Sequence, residues 1–534
     1  MASYLVVGSG ATGVHFARTA LDIGHSVELL DVGFARPDFP RADATVSALK
    51  EELDDPEAYF LGQRGDAVVY PAPNAKPYGF PPSKAYVFRR HSEVRLEERA
   101  FHPFLSFARG GLAEAWTGGS YEMADEEFAD FPFDASAIRP HYATVAARVG
   151  ITGAPDDIQH FSPLSARYLE PLALDDHSAA IKSRYDAKRS VLNSRGFHLG
   201  RSRVAVLSRD HGVRGRCTSL GRCFWGCPRG AFYTPGITLA ELQADERFTY
   251  RPGLVARRLL LDGAGRVTGV VAVHVHGGSE VEILGDRTVL AAGALASSQI
   301  YLETMRRQGR ATLQLPGLMD NRQVMIPFVT LSRLGSPVQL ASYQYHMLAM
   351  GLDRGDWRAA VHGQISALKA AAVHPIVSTL PFDLATSMRV FRRLRGALGV
   401  TNIWLSDRRR DQNVVRLEAA SAGPSRLVLD YGDDASDVPS TRNAIEETRR
   451  SLGKLGCIAP KSMTRILARG SSVHYAGTLP MTSREEEHTT RSDGSSRAFP
   501  GLYVVDGAGF PWLPAKNLTF TLMANATRIA RMLG

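Results

Sequence analysis

The first residues of the chain constrain its fold more than any other feature. Residues 4–7 are apolar and run directly into Gly8-x-Gly10-x-x-Gly13, and residues 14–24 then have the pattern of a helix. Glycines at this spacing allow a sharp turn after a strand, and the N–H groups at the start of the helix then face a pyrophosphate. The motif therefore predicts a strand–turn–helix unit that binds a dinucleotide, and alone it leaves NAD, NADP and FAD open.

A second predicted strand, residues 26–30, ends on Asp31. In a unit of this type, an acidic side chain after the second strand accepts hydrogen bonds from ribose hydroxyl groups. A later apolar strand, residues 287–292, stops at Gly293 and would return the chain to the same sheet. These elements predict an α/β fold with a Rossmann-like nucleotide-binding domain.

Length and composition indicate a multidomain globular protein. The chain has 534 residues, which is more than a single hydrophobic core ordinarily accommodates. Of these residues 44% are hydrophobic and 22% are charged. No uncharged apolar run reaches the roughly 18 residues that a membrane-spanning helix needs. Because the first strand begins near residue 3, we expect no signal peptide before it and a cytoplasmic protein.

The formal net charge of +9 comes mainly from arginines spread along the chain. Nucleic-acid binding would require a basic patch interleaved with aromatic side chains, or a recognisable module, and the sequence has neither. The densest basic stretch, residues 388–398, has the pattern of an amphipathic helix. A solvated helix face explains this stretch better than a contact with a membrane surface or an electron acceptor. We therefore expect no nucleic-acid partner.

The middle of the chain is less regular. Residues 108–119 form a second glycine-rich loop that contains Gly110 and Gly111, where the backbone can lie close to a ligand. Residues 315–459 contain short strand-like runs and helical stretches, which predict a sheet that carries helices. The predicted strands include 323–331 and 425–429, and the predicted helices are 367–373 and 440–456.

The two ends of the chain together resemble the glucose-methanol-choline (GMC) oxidoreductases, flavoproteins that oxidise alcohols. The resemblance rests on the N-terminal glycine motif, on Asp506-Gly507-Ala508 near the C-terminus, and on two further segments, residues 291–298 and 317–321. It implies FAD as the cofactor, held by a Rossmann-like domain of discontinuous segments beside a second, α+β domain that binds the substrate. The implied FAD-binding segments are 1–75, 200–314 and 460–534. Residues 76–199 would form a lid that covers FAD and an excursion toward the substrate domain, and the substrate-binding domain would be 315–459.

Residue by residue, the resemblance implies a site along the whole length of FAD. The first glycine loop would bind the pyrophosphate and Asp31 the adenosine ribose, while Val255 would hold the adenine through its backbone. The segment that begins at Asp506 would contact the ribityl chain and the pyrophosphate. The residues implied to bind the cofactor are Gly8, Gly10, Ala11, Thr12, Gly13, Asp31, Gly110, Gly111, Trp116, Thr117, Val255, Ala292, Gly293, Asp506, Gly507, Asn517, Leu518 and Thr519.

The resemblance also implies His474 and Asn517 as the catalytic pair. His474 opens a segment similar to the H-x-x-G-T motif of the family, and Asn517 opens one similar to N-P-T-x-T, with Leu518 in place of the proline. A neutral imidazole with a pKa of about 6.5 can take the proton of an alcohol, and an amide can orient the same hydroxyl group. Outside this context His474 would be a structural histidine, and Asn517 a turn or N-cap residue.

Two positions depart from the family pattern. The segment that ends at Asn321 is similar to a family motif that usually ends in histidine. In the pyranose-oxidase-like members, which the His–Asn pair resembles most, a histidine before the Trp-Thr pair attaches the flavin covalently. This chain has Ala115 before Trp116 and Thr117. Because alanine has no nucleophile, the resemblance implies noncovalent FAD.

Three of the four cysteines are close together in the sequence. Cys217, Cys223 and Cys227 have the spacing of an iron–sulfur motif in which Leu220 replaces one ligand. Because the usual set of four thiolates is incomplete, we predict a packing role and assign no metal ligand, while a three-cysteine cluster stays open.

These observations predict an enzyme that oxidises a CH–OH group to a carbonyl with FAD. By analogy with sugar oxidases that use a histidine and an asparagine, the substrate would be a sugar, aminosugar, cyclitol or related polyol. The expected partners are this small-molecule alcohol and an electron acceptor, either O2 or another oxidant. Three alternatives stay open: a sterol or other hydrophobic alcohol as substrate, a lyase that keeps FAD without using its redox chemistry, and a flavin-holding protein without catalysis.

Overall fold

The computed structural model of the protein describes residues 2–40, 42–71, 79–369, 380–419 and 424–534, together with Val377. In these residues the α-helices are α1 (Ala11–Asp22), α2 (Val46–Glu52), α3 (Pro56–Leu61), α4 (Arg139–Val149), α5 (Asp176–Asn193), α6 (Pro235–Leu242), α7 (Ala294–Arg307), α8 (Leu384–Leu394), α9 (Asp437–Lys454) and α10 (Thr519–Met532). None of the helices in this part of the chain is long and apolar enough to cross a lipid bilayer.

The strands of the described residues form several sheets. They are β1 (Ser3–Val7), β2 (Ser26–Asp31), β3 (Arg95–Glu98), β4 (Phe197–Arg201), β5 (Phe248–Pro252), β6 (Leu254–Leu261), β7 (Val267–His274), β8 (Val281–Leu284), β9 (Arg287–Leu290), β10 (Gln314–Pro316), β11 (Met319–Asp320), β12 (Arg322–Thr330), β13 (Leu348–Leu352), β14 (Val361–Ala367), β15 (Leu398–Leu405), β16 (Asp407–Arg408), β17 (Val414–Glu418), β18 (Arg426–Asp430), β19 (Cys457–Ile458), β20 (Arg465–Ile466), β21 (Tyr475–Ala476), β22 (Leu502–Val504) and β23 (Trp512–Leu513). Two of the sheets position the candidate site.

The first and last parts of the chain share one parallel sheet. Its strand order is β22-β9-β1-β2-β5, and each neighbouring pair is parallel. The first helix, α1, lies against the last, α10, and Val6, Val14 and Ile529 are among the buried side chains that join these helices to the sheet. This arrangement confirms the predicted Rossmann-like α/β domain.

The parallel direction of these strands brings distant loops to one edge of the sheet. β1 is followed by Gly8, β2 ends on Asp31, β9 is followed by Ala291, and Asp506 lies just after β22. Because parallel strands all end at the same edge, the loops after β9 and β22 are neighbours of those after β1 and β2, although hundreds of residues separate them in the sequence. In sheets of this type the ligand binds outside the carboxyl ends of the strands.

A larger sheet lies in the second half of the chain. Its strand order is β19-β12-β15-β14-β13-β4, with β20 also paired to β12. One face packs on α5 and α9, for example through Ile181 and Leu452. The other face carries polar and aromatic side chains. For example, Trp404 of β15 lies between Gln323 of β12 and His362 of β14 in the strand register. This sheet with its helices confirms the predicted second, α+β part of the fold.

Most of the elements predicted for the middle of the chain are present. The two predicted strands correspond to β12 and β18, and the predicted helix 440–456 corresponds to α9. The predicted helix 367–373 is wrong at Ala367, which is the last residue of β14 and pairs with Gly399 of β15. Its residues 370–373 lie outside the described residues. An alanine-rich run favours a helix locally, but pairing with a neighbouring strand overrides such a preference.

The predicted domain limits stay a prediction. β4 spans the limit drawn between residues 199 and 200, since it pairs with β13 in the larger sheet. The limit drawn at residues 75 and 76 falls within 72–78, which lie outside the described residues.

Buried histidines make the stability of this fold depend on pH. His346 is 2% exposed, and burial lowers its pKa to about 3. In the unfolded chain its pKa is about 6.5, so between pH 6.5 and 3 the unfolded chain takes up a proton that the folded protein does not. Stability is therefore lost as the pH falls through this range.

We expect His346→Gln to remove this contribution. Between pH 7.5 and 5.5, the free energy of unfolding of the wild type should fall by about 1 kcal/mol more than that of the variant. Burial raises the pKa of Asp31 to about 7, which has the opposite effect on stability, so only the difference between the two proteins isolates His346. Urea titrations at the two pH values measure it, and an equal change in both proteins would contradict the assignment.

Candidate active site

The turn between β1 and α1 is packed so tightly that only glycine fits at two of its positions. Gly8 has φ +105°, and a Cβ atom there would lie 2.7 Å from the backbone oxygen of Ala291. A Cβ atom on Gly13 would lie 1.9 Å from the backbone oxygen of Gly8. The turn after β1 is therefore pressed against the turn after β9, and Ala292 lies at the same contact.

Gly10 has the opposite surroundings. It is the N-cap residue of α1, no side chain caps the helix, and a Cβ atom on Gly10 would meet nothing within 4 Å. The N–H groups at the start of the helix, where Ala11 and Thr12 lie, are thus left open toward this space. An uncapped helix N-terminus beside an open glycine fits the pyrophosphate of a dinucleotide.

The second glycine-rich loop closes over the first. Gly110 and Gly111 have φ +92° and +65°, and a Cβ atom on Gly111 would lie 3.3 Å from Cα of Gly10. The N–H of Gly110 donates to Oγ of Ser9 at 2.9 Å, and the same hydroxyl group donates to the carboxylate of Asp31. The structure therefore brings the two glycine loops and Asp31 together.

Asp31 lies where a ribose of the dinucleotide would be expected. It ends β2, and burial raises its pKa to about 7. Val255 belongs to a buried cluster with Val32, the residue after Asp31, and the N–H of Gly253 donates to the backbone oxygen of Val32 at 3.1 Å. Val255 and Asp31 thus lie at the same end of the predicted site.

Asp506 ties three segments of this edge together. Its Oδ2 accepts from the N–H of Gly293 at 2.9 Å and from Ser297, and its Oδ1 accepts from the N–H of Ala508 at 2.9 Å. The backbone oxygen of Gly507 accepts from the N–H of Gly477 at 3.1 Å. The start of α7, where Gly293 is an N-cap residue without a capping side chain, is therefore fixed against the chain that leads from His474.

His474 is held by hydrogen bonds on both its backbone and its ring. Its N–H donates to Oγ of Ser472 at 3.0 Å, and its Nδ1 lies 3.0 Å from Oδ1 of Asn321. The ring of Trp404 lies 6.1 Å from the imidazole, measured between centroids. Burial lowers the pKa of His474 to about 4, so the imidazole is neutral at ordinary pH.

Asn517 lies against the larger sheet. Its Oδ1 accepts a hydrogen bond from Nε2 of Gln364 on β14. A Cβ atom on Gly119 would lie 2.7 Å from the same Oδ1, so the loop after Thr117 reaches Asn517, and a side chain at position 119 would displace the Asn517 amide. Leu518 and Thr519 follow at the start of α10, where no side chain caps the helix.

Trp116 and Thr117 are fixed by contacts within the protein. Nε1 of Trp116 donates to the backbone oxygen of Tyr233 at 2.9 Å, and the backbone oxygen of Thr117 accepts from the hydroxyl of Tyr343 at 2.6 Å. Oγ1 of Thr117 lies 3.1 Å from Nε2 of His346. The loop that contains Trp116 and Thr117 is therefore anchored by Tyr343 and His346, which come just before β13 of the larger sheet.

Asn321 links the two predicted catalytic residues. Besides its contact with His474, its Nδ2 donates at 3.0 Å to the backbone oxygen of Pro514, three residues before Asn517. From the sequence, Asn321 was visible only as a departure from a family motif, and Gln364 and Trp404 were not identified. The alternation of polar residues along β14 was a usable signal for Gln364, but the contact to Asn517 spans 153 residues.

The three clustered cysteines lie beside a buried apolar group. Cys217, Cys223 and Cys227 pack against a cluster that includes Phe232 and Tyr345, and burial raises the pKa of the Cys223 thiol to about 12. Within the described ranges, no group of three His, Cys, Asp or Glu side chains has the geometry to hold a metal ion.

Comparisons with known proteins agree with this architecture. A family model described as GMC oxidoreductase matches residues 409–526. Paromamine 6'-oxidase of Streptomyces fradiae is 25% identical over 99% of this chain and 90% of its own length. The 6'''-hydroxyparomomycin C oxidase of Streptomyces lividus is 22% identical over 75% of this chain and 71% of its own length.

Solved structures share the whole fold. The crystal structure of pyridoxine 4-oxidase from Mesorbium loti superimposes with a TM-score of 0.59 at 16% identity, covering 100% of this chain and 99% of that one. Formate oxidase superimposes with a TM-score of 0.61 at 12% identity, covering 100% of this chain and 98% of that one. The C-terminal part of the chain therefore matches the GMC oxidoreductase family model, and the whole chain shares the fold of these two solved oxidases.

Proposed function

We propose that this protein oxidises a CH–OH group of a sugar, aminosugar or related polyol to a carbonyl, with noncovalently bound FAD. The main support is the site around His474, a neutral imidazole linked through Asn321 to the loop of Asn517. The two curated relatives are named as oxidases of paromamine and of a hydroxyparomomycin, which supports a substrate of the sugar or aminosugar class.

The reaction needs a proton acceptor beside the hydroxyl group. When bound, FAD supplies the acceptor for the hydride that leaves the carbinol carbon. His474 would take the hydroxyl proton, and because its pKa is lowered by burial it is already neutral at physiological pH. The oxygen of Asn517 is engaged by Gln364, so Asn517 would donate through Nδ2 to the substrate oxygen as negative charge develops there.

The face of the larger sheet next to these residues favours a substrate rich in hydroxyl groups. Trp404 on this face lies beside His474, and Gln364 bonds Asn517. Several buried polar atoms of the face have no hydrogen-bond partner among the described residues: Oε1 of Gln323, both ring nitrogens of His362, Oδ1 of Asn402 and Nε1 of Trp404. Buried polar atoms are normally hydrogen-bonded. If the site opens to admit a substrate, the hydroxyl groups of a polyol could pair with such atoms, whereas a sterol ring system has no polar groups to offer them.

His474→Ala tests the proposed base. In the FAD-loaded enzyme we expect anaerobic reduction of the flavin by a sugar or aminosugar alcohol to slow by about 10²–10⁴-fold, because the proton acceptor is lost. Stopped-flow absorbance of the flavin measures the rate. His160→Ala is the matched control, since His160 is exposed and bonded to Asp353, and it should react like the wild type. A full reduction rate in His474→Ala would refute the assignment.

The same anaerobic assay tests the substrate class. The panel should contain sugars, aminosugars, cyclitols, aliphatic alcohols and sterols. We expect only the polyhydroxylated compounds to bleach the flavin. Bleaching by sterols alone would contradict the substrate class. The absence of bleaching, together with cleavage of a carbon–carbon bond in a hydroxynitrile, would favour the lyase alternative.

Noncovalent attachment predicts that acid releases the cofactor. Ala115, which precedes Trp116, has no group that could form a bond to the flavin. After precipitation of the FAD-loaded protein with acid, we expect the yellow colour in the supernatant. Colour that stays in the washed pellet would show a covalent link.

Alanine variants at Gly10 and Gly13 can distinguish an effect on FAD binding from an effect on folding. Gly10→Ala projects a methyl group into the open space beside the α1 N-terminus, so we expect it to weaken FAD binding by about tenfold or more while the apoprotein keeps its melting temperature. Gly13→Ala is the matched control, because its methyl group collides with the Gly8 backbone and should lower the melting temperature of the apoprotein itself. Fluorescence titration with FAD and thermal unfolding of both apoproteins measure this. Unchanged FAD affinity in Gly10→Ala would contradict the predicted pyrophosphate site.

A further inference from the structure

The amide of Asn321 lies between His474 and the loop that leads to Asn517. Its Nδ2 donates to the backbone oxygen of Leu405 at 2.9 Å and to that of Pro514 at 3.0 Å. Its Oδ1 lies 3.0 Å from Nδ1 of His474. Asn321 is 1% exposed, so bulk water does not compete for these three contacts.

The three contacts fix the orientation of the amide. If its oxygen and nitrogen were exchanged, the oxygen would face two carbonyl oxygens, neither of which can donate a hydrogen bond. The oxygen must therefore face His474. Because a carbonyl oxygen only accepts, the hydrogen of the neutral imidazole is on Nδ1, and Nε2 carries a lone pair.

The geometry points to Asn321 as a positioning residue that holds His474 in the tautomer whose Nε2 accepts the substrate proton. Through Pro514 it also fixes the loop that carries Asn517. Without this partner the neutral imidazole would divide between two tautomers, and the form with hydrogen on Nε2 cannot act as a base toward the substrate. The inference rests on the proposed function, in which His474 takes the hydroxyl proton.

The backbone on either side of this contact is held by the neighbouring residue, Asp320. β11 pairs with β21, so that Asp320 lies opposite Tyr475. The carboxylate of Asp320 accepts from Oγ of Ser472 at 2.6 Å and from the N–H of Gly470 at 3.1 Å, and Ser472 in turn accepts from the N–H of His474. Asp320 therefore fixes the main chain of His474, which leaves the ring orientation to Asn321.

The charged groups near Asn321 and His474 form ion pairs with one another. Asp320 faces Arg469 at 3.7 Å, and Asp407, which accepts from the N–H of Asp320, pairs with Arg410 at 2.8 Å. On the side of Asn517, the Lys516 ammonium pairs with Glu127 at 2.6 Å. In the part of the chain that the structure describes, His474 itself forms no ion pair, and burial alone lowers its pKa. A charge introduced at position 321 would therefore act on the imidazole directly.

Three variants at one position test the inference. Asn321→Asp keeps an acceptor for Nδ1 but adds a negative charge, so we expect the pKa of His474 to rise by about one unit or more, and the acid limb of the flavin-reduction rate to move up with it. Asn321→Leu removes the acceptor without adding charge. It should lower the reduction rate at saturating substrate by about tenfold or more, with no upward shift of the acid limb. Asn321→His, which restores the residue usual in the family, should recover most of the rate.

The wild-type apoprotein gives a second readout that does not depend on activity. In protein labelled with ¹⁵N-histidine, the resonances missing from His474→Ala identify this ring. We expect hydrogen on Nδ1 and a bare Nε2 in the wild type, and a mixture of tautomers in Asn321→Leu. Hydrogen on Nε2 in the wild type would overturn the inference, even if every variant at position 321 failed to fold.

The outcomes separate this inference from the proposed function. If His474→Ala is inactive while Asn321→Leu and Asn321→Asp keep the wild-type rate and pH profile, the positioning role is refuted and the proposed function stands. If His474→Ala keeps the full rate, the proposed base is wrong and the inference fails with it. Equal losses of rate in all three variants at position 321, without any shift in the pH profile, would indicate a structural role only and would also refute it.

Discussion

The candidate cofactor site depends on the parallel pairing of β22 with β9 and of β9 with β1. This pairing brings β22, close to the C-terminal end of the chain, into the sheet begun by the first strand, so that Gly8, Gly293 and Asp506 meet at one edge. The entropy of closing a loop grows only with the logarithm of its length, so a contact across the whole chain costs little more than one within a domain. The larger sheet can therefore be inserted between these strands without weakening the edge.

Distant segments of the chain also meet at Asn321, but a different kind of interaction holds them there. The cofactor edge is specified by backbone geometry, since a side chain at Gly8 or Gly13 would collide with the neighbouring turn. The contact with His474 is specified by side-chain hydrogen bonds of Asn321, which is 1% exposed, and an unmet donor or acceptor on that amide would carry a large cost. One amide there satisfies Leu405, Pro514 and His474 at once, so the segments that carry His474 and Pro514 cannot shift relative to β15 of the larger sheet without breaking these hydrogen bonds.

Sequence reasoning predicted those parts of the site whose chemistry is local. The turn from Gly8 to Gly13 and the acid at Asp31 are set within a few residues, and family motifs supplied His474 and Asn517. Asn321 was visible only as a departure from a motif, because its partners are up to 193 residues away and are brought close by strand pairing. The helix predicted at residue 367 failed for the same reason, since the neighbouring strand β15 outweighs local preference.

The group that accepts a hydrogen bond from Nδ1 of His474 affects both the basicity of the imidazole and the free-energy cost of burying that group. A carboxylate at this position would make His474 a stronger base, but it would also bury a negative charge, and burial of an unpaired charge is costly. The neighbouring Asp320 shows what such a charge requires: Ser472, the backbone of Gly470 and the nearby Arg469 surround it, and burial still raises its pKa to about 6. An amide fixes the tautomer without that requirement. The imidazole then remains a weak base with a low pKa, which is sufficient if its proton acceptance is coupled to the departure of the hydride rather than completed before it.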